Sequence, residues 1–310
     1  MNNEKPPVIL VVDDEPEIRA LISDFLEDDE GYAVLNARNG QEALETVLPN
    51  HHVDLVLSDI NMPVMKGFEL LSAVRGRWPH VKRVLITAYN VEDYIELALA
   101  HDVGNIFAKT TPFHFVELAA LLKTLLSGDI FGAQRYFSDE AGRQSLTITR
   151  GDRIDKDARA IMQTLPEDRV PRKLNLVLVE LLTNAIFYGI RREKPDRKED
   201  WTYDFELLPE EAIQVTTLCD AEKYAISIMD RGGRLTKKDY LYWLHRQVAR
   251  DENGMPLGVY DSHGRGFYIA RKYIDRLIIN IDPGVKTEVV IVNYFNEVFV
   301  GSKPLYINEL

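Results

Sequence analysis

Three carboxylates in the first part of the chain fall where short apolar runs end: Asp13 and Asp14 follow Val8 to Val12, and Asp59 follows the run that starts at Asp54. If those runs are parallel strands, the three acids converge at the carboxyl edge of one sheet, where ligands collect in open α/β sheets. Such crowding needs a cation, and hard oxygen donors of this kind suit Mg2+ held by one or two carboxylates plus phosphate oxygens. Thr87 and Lys109 end two further apolar runs and add a hydroxyl and an ammonium beside the same crevice. The set can do phosphoryl transfer: Asp59 attacks phosphorus in line, while Mg2+ and Lys109 neutralise the equatorial oxygens on which charge spreads.

A second group lies beyond residue 170. Leu174 to Phe187 is apolar nearly all round, as in a buried helix, yet carries Glu180 and Asn184 one turn apart on one face. Burying both without partners is costly, so they require either a capped loop or a ligand. Asp230-Arg231-Gly232-Gly233 follows the apolar run Tyr224 to Met229, and a carboxylate placed there can accept the amino group of adenine while the glycine backbone passes close to the ring. Gly264-Arg265-Gly266 opens a helical stretch whose free amides and dipole favour phosphate. Each signal is weak alone; the order of the three is specific.

The elements that must position these residues follow from periodicity. Strands are expected at Val8 to Val12, Ala33 to Asn36, Asp54 to Leu57, Arg83 to Thr87 and Asn105 to Ala108, with helices at about 16–28, 41–48, 67–77, 91–101 and 113–127. This five-fold βα alternation predicts a doubly wound, five-stranded parallel sheet of flavodoxin-like type over residues 1–127. Residues 128–145 lose periodicity and read as a linker, with Phe131, Tyr136 and Phe137 expected to dock on a neighbouring surface. Residues 146–310 read as an α+β sandwich: strands at 145–149, 212–218, 224–229, 277–281 and 287–294, helices at 155–164, 172–188 and 265–276, and an irregular segment at 234–262.

The 310 residues suit two cores rather than one. A net charge of −12 opposes general affinity for nucleic-acid phosphates, and the mixed-sign runs 191–194 and 197–200 read as a solvated loop. No apolar run is long enough to cross a bilayer, the N-terminus lacks the order of a secretion signal, and the single cysteine, Cys219, reads as a buried small apolar residue; a cytoplasmic location is expected.

Val11-Val12-Asp13-Asp14-Glu15-Pro16, Asp59-Ile60-Asn61-Met62-Pro63-Val64-Met65-Lys66-Gly67 and Ile86-Thr87-Ala88 resemble the receiver domain of two-component response regulators over about residues 8–127. The resemblance implies that Asp14, Asp59 and the carbonyl of Asn61 bind Mg2+, that Thr87 and Lys109 bind phosphoryl oxygens, and that Phe107 is the aromatic switch. It departs from the family where Thr110 and Thr111 separate Lys109 from Pro112. The second group is similar to the Bergerat ATP-binding fold shared by gyrase, heat-shock chaperones, histidine kinases and anti-sigma-factor serine kinases. The stretches Val179-Glu180-Leu181-Leu182-Thr183-Asn184-Ala185 and Gly264-Arg265-Gly266-Phe267-Tyr268-Ile269-Ala270 resemble the last branch most. The resemblance implies that Asn184 holds Mg2+, Asp230 reads adenine, Glu180 is the general base, and Gly232, Gly233, Gly264, Arg265 and Gly266 line the ATP, under a lid at 234–262. Tyr188 stands where that branch has histidine, and His263 beside the glycine loop has a claim on phosphate.

Residues 128–173 contain no histidine, which removes the phosphoaccepting helix a histidine kinase needs. The leading reading is a response regulator, phosphorylated by an upstream histidine kinase or phosphotransfer protein, whose output is a serine/threonine kinase acting on an anti-anti-sigma-type protein. The alternative is a nucleotide-loaded module that sequesters a sigma factor or antagonist without chemistry. Phosphorylation is expected to act through the face of helices 91–101 and 113–127, either on docking of the ATP domain or on pairing of two receivers into a homodimer.

Overall fold

The computed structural model describes residues 5–138, 140–192, 201–259, 261, 264–296 and 302–310. It divides into two compact units, Met1–Ile130 with Val300–Leu305, and Phe131–Phe299 with Tyr306–Leu310.

In the first unit five strands, β1 (Val8–Val12), β2 (Ala33–Ala37), β3 (Leu55–Asp59), β4 (Lys82–Thr87) and β5 (Asn105–Ala108), form an all-parallel array in the order β2-β1-β3-β4-β5. The strands are Val, Ile and Leu runs because both faces are covered, and every residue of β3 and β5 is buried. Helices α1 (Pro16–Asp24), α2 (Gly40–Glu42), α3 (Gly67–Arg77), α4 (Ile95–His101) and α5 (Phe115–Ser127) cross between them. Pro16 opens α1 at the position where its missing N–H costs nothing, and Asn39 caps α2 by accepting from the Glu42 amide. Gly128 ends α5 in the left-handed conformation that glycine adopts without strain.

The second unit is one six-stranded sheet, β6 (Gly142–Ile148), β7 (Ile213–Cys219), β8 (Lys223–Asp230), β9 (Arg276–Asp282), β10 (Lys286–Tyr294) and β11 (Leu305–Glu309), in the order β11-β9-β10-β8-β7-β6. All neighbours are antiparallel except β11 beside β9. Helices α6 (Ile154–Met162), α7 (Leu174–Thr183), α8 (Lys237–Val248) and α9 (Arg265–Tyr273) complete the unit. α7 buries Leu174, Val177, Leu178, Leu181 and Leu182 and continues through Asn184–Ile190 with hydrogen bonds spaced five residues apart, as in Arg191 N–H to the Ile186 carbonyl at 2.9 Å.

Several expectations need correction. Residues 234–262 are not irregular throughout: Thr236 caps α8 by accepting from the Asp239 amide at 3.1 Å and donating to its carboxylate at 2.6 Å. The expected linker is shorter than 128–145, because the second unit takes in the chain from Phe131 and strand β6 starts at Gly142. The helix expected to reach 276 stops at Tyr273, and Arg276 already belongs to β9. β11 had no counterpart among the expected strands. Cys219 is half-buried rather than buried. Glu193 to Asp200, His263, and residues 260 and 262 of the expected lid lie outside the described residues. Among the described residues no helix is long and apolar enough to cross a membrane.

Candidate functional site

In the first unit Asp13 directly follows β1, Asp59 ends β3, Thr87 ends β4 and Lys109 directly follows β5, so four adjacent strands deliver one residue each to the carboxyl edge of the sheet. Asp13, Asp59 and Thr87 are 1%, 8% and 1% exposed. The Lys109 ammonium stands between the acids, 2.7 Å from Asp59 Oδ1 and 2.9 Å from Asp13 Oδ2. The free oxygens are held by backbone: Asn61 N–H donates to Asp59 Oδ2 at 2.7 Å, and Glu15 N–H to Asp13 Oδ1 at 2.9 Å.

Burial raises the Asp59 carboxyl above the usual carboxylate range, with Lys109 and the Asn61 amide opposing the rise. Burial alone would lower the Lys109 ammonium; Asp59 and Asp13 more than offset it and hold the group above its ordinary value. Asp14 is exposed at the rim. Gly67 opens α3 so close to Asp59 that a Cβ would overlap the Asp59 carbonyl oxygen, which is the physical content of that glycine in the motif. The Thr87 hydroxyl accepts from the Tyr89 amide at 3.1 Å. Phe107 is 1% exposed and packs on Phe113, ring centroids 5.5 Å apart. The Thr111–Pro112 bond is cis, and the Thr110 hydroxyl donates to the Pro112 carbonyl at 2.9 Å.

In the second unit Glu180, Asn184, Asp230, Gly264, Arg265 and Gly266 line a single cavity of about 530 Å³. Gly232 and Gly233, expected to line the same site, are not among its lining residues; they hold Asp230 instead. Their amides donate to Asp230 Oδ1 at 2.9 and 3.3 Å. Burial pushes the Asp230 carboxyl up to about 6, the two amides pulling the other way. Glycines make the close approaches. A Cβ on Gly266 would stand 2.9 Å from Glu180 Oε2 and 3.2 Å from Asn184 Nδ2, and one on Gly232 would overlap the Gly189 carbonyl. The start of α9 thus meets the polar face of α7, and the turn after β8 meets the end of that helix.

Four further residues line the same cavity: Thr287, which sequence reasoning did not single out, Arg234 and Trp243, which fall in the expected lid, and Arg192, which belongs to a run read as a solvated loop. Thr287 lies opposite Asp230 in the β10–β8 register, is 3% exposed, and its hydroxyl has no hydrogen-bond partner among the described residues. Only strand register brings it there, and one chain does not reveal register across fifty-seven residues. Trp243 is on α8, whose Thr236-x-x-Asp239 start was a readable capping signal. Tyr188 also lines the cavity; burial and then the Glu180 charge push its hydroxyl up to about 12, and that hydroxyl has no hydrogen-bond partner among the described residues.

Among the described residues no group of three or more His, Cys, Asp and Glu side chains is arranged to hold a metal ion. Mg2+ held through one or two carboxylates, a carbonyl and phosphate oxygens needs no such group. Asp59, exposed Asp14 and the Asn61 carbonyl are hard oxygen donors of that kind, and so is Asp13; Lys109 engages one oxygen of Asp13 and one of Asp59.

Residues 9–123 match the family model of the response regulator receiver domain. Sporulation initiation phosphotransferase F of Bacillus subtilis is 34% identical over 126 residues, covering 41% of this chain and 96% of that protein. Response regulator Rre1 of Synechocystis is 31% identical over 164 residues, covering 52% of this chain and 65% of that protein. The autoinducer 1 sensor kinase/phosphatase LuxN of Vibrio campbellii is 32% identical over 125 residues, 35% of this chain, and the chain spans 14% of LuxN. Through residues 9–123, with Asp59 at the end of β3 and Lys109 against it, the chain belongs to the response regulator receiver family and carries a phosphorylatable receiver domain of two-component signalling.

Proposed function

We propose that the chain is a response regulator whose output is ATP-dependent phosphoryl transfer to a serine or threonine hydroxyl of an anti-anti-sigma-type protein. The receiver takes its phosphoryl group from an upstream histidine kinase or phosphotransfer protein. An Asp59 oxygen forms the new bond to phosphorus as the donor's bond breaks, and the Lys109 ammonium, already 2.7 Å from Oδ1, shifts its charge to the incoming oxygens. Asp14, Asp59 and the Asn61 carbonyl would hold Mg2+, which would supply charge neutralisation at the same oxygens.

The observation that carries the output reading is the convergence of Glu180, Asn184, Asp230 and the Gly264-Arg265-Gly266 turn on one cavity. Its inner end suits a base with an amino group: the Asp230 carboxyl and the unpartnered Thr287 hydroxyl lie side by side on β8 and β10. Its outer end offers the α9 N-terminus and the arginines 192, 234 and 265 to phosphate oxygens. Asn184 is the side chain best placed to hold a second Mg2+, and Glu180, one turn away, takes the proton of the attacking hydroxyl.

One observation favours the alternative, a nucleotide-loaded module that sequesters its sigma factor or antagonist without transfer. Tyr188 lines the cavity beside Glu180, at the position where the kinase branch that this stretch resembles carries a histidine. The two readings separate on two substitutions. With labelled ATP, Mg2+ and candidate partners, Glu180→Ala is expected to lower transfer by about 10²-fold or more while nucleotide binding stays, and Asn184→Ala to lose both. Output that survives Glu180→Ala but not Asn184→Ala assigns sequestration instead.

A further inference from the structure

Within the receiver unit Asn61 is held twice. Its backbone N–H donates to Asp59 Oδ2 at 2.7 Å, and its side-chain amide donates to the Tyr94 hydroxyl at 2.6 Å. The two residues belong to different elements: Asn61 lies in the loop between β3 and α3, and Tyr94 ends the short helical turn Val91–Tyr94 that leads into α4. The Tyr94 ring is itself seated. It packs on Phe68 of α3, ring centroids 6.1 Å apart, and Phe68 is 3% exposed and also carries His101 of α4 at 5.7 Å. The hydroxyl that meets Asn61 therefore comes from a ring with little freedom to leave.

The loop that holds Asn61 is strained at its tip. The Met65 N–H donates to the Pro63 carbonyl at 2.8 Å around Val64, whose φ is 70°. That is the rare, strained form of the γ-turn, and Val64 is β-branched, the residue type that tolerates a positive φ least. At the far end the Gly67 N–H donates to the Ile60 carbonyl at 3.0 Å and closes the loop. Strain of this kind relaxes through whichever backbone rotation is left free, and at Asn61 that rotation would move the carbonyl. Asp59 holds the peptide plane before Asn61. Tyr94 holds the side chain, which fixes the rotation about N–Cα and with it the position of the carbonyl carbon. Met62, 5% exposed, anchors the plane that follows.

We propose that Tyr94 is a positioning residue for the Mg2+ site: by holding the Asn61 side chain it keeps the Asn61 carbonyl where Asp14 and Asp59 can share a cation with it. The inference rests on the reading of that carbonyl as a metal donor. Tyr94 acts through Asn61 and supplies no ligand of its own. By linkage, a cation bound at the carbonyl tightens the Asn61–Tyr94 contact in return.

The test is Mg2+ titration of the full chain without nucleotide, followed by the NMR shift of the residue 61 amide. Tyr94→Phe keeps the ring on Phe68 and removes the acceptor. It is expected to raise the Mg2+ Kd by about fivefold, the worth of one ordinary hydrogen bond. Asn61→Ala, which keeps the backbone carbonyl, should raise it by as much, and the double variant by no more than either, because both substitutions remove the same contact. Phosphorylation by acetyl phosphate gives a second readout. In Tyr94→Phe the rate falls by about fivefold at low Mg2+ and returns to the wild-type value at saturating Mg2+, where a general loss of structure would persist. A Tyr94→Phe chain that binds Mg2+ like the wild type, effects that add in the double variant, or a rate deficit that saturating Mg2+ does not repair each overturns the positioning role and leaves the metal reading standing. A wild type with no saturable Mg2+ shift overturns the metal reading and the part of Tyr94 in it together.

Discussion

Asp59 and Asp230 occupy the same kind of position, the last residue of a buried strand, yet their neighbours give them different chemistry. Asp59 faces a full ammonium, and Lys109 offsets much of what burial does to it. Asp230 faces only two backbone amides on one oxygen, and burial carries it to about 6. The first arrangement sets a cation against the buried carboxylate that is to act as the nucleophile. The second holds a carboxyl near the balance between donor and acceptor, which suits recognition of a neutral polar edge and would serve poorly in attack. Position on the strand fixes access; the partner fixes the role.

The comparison can be broken most sharply at Asp59 itself. Asp59→Asn is expected to abolish covalent phosphorylation by a small-molecule donor, read as loss of the mass increment on the intact chain, because no other carboxylate of the site shares its contact with the Asn61 amide. Lys109→Met comes next. It leaves Asp13 and Asp59 buried and facing each other without a cation, and should cost about 3 kcal/mol in chemical denaturation near neutral pH, a loss that shrinks on acidification as a carboxyl protonates.

Asp230 gives a smaller and pH-dependent effect. Its folded-state value lies above the ordinary 3.8, so it contributes stability that is fully present below about 4 and is lost as pH rises through about 6. Nucleotide binding should run the other way. A ligand amino group needs the ionised acceptor, so affinity is expected to fall below about pH 6 in the wild type and to lose that dependence in Asp230→Asn, as followed by calorimetry across the range. Thr287→Val has the smallest expected effect and the most diagnostic sign. Removing an unpartnered buried hydroxyl should stabilise the free protein by about 1 kcal/mol, while affinity for an adenine nucleotide drops by about fivefold. A variant that loses stability, or binds as before, separates Thr287 from the base-reading role.

The receiver was legible in the sequence because its signals are local. Each strand is a short apolar run at or just past whose end stands the residue that acts, so reading the run also places Asp13, Asp59, Thr87 and Lys109. In the second unit the helix with Glu180 and Asn184 and the glycine turns were legible for the same reason. What the sequence concealed depends on pairing over distance: Thr287 reaches Asp230 only through the β10–β8 register, and β11 has no hairpin partner to announce it, since it lies parallel to β9. The α8 helix was missed for a different reason. Its polar surface and flanking glycines masked the N-cap signal of Thr236 with Asp239 three residues on.

The widened turns at Asn184–Ile190 have a bearing on how this cavity tolerates change. They set the angular phase of everything that follows Asn184, so that Tyr188 and Gly189 both remain on the cavity wall and Gly189 stays against Asp230. Deleting one residue there would restore ordinary helical phase and swing both away, emptying the contact beneath the carboxyl. Lineages of this domain should therefore accept substitutions along the helix far more readily than a single-residue gap in that one stretch.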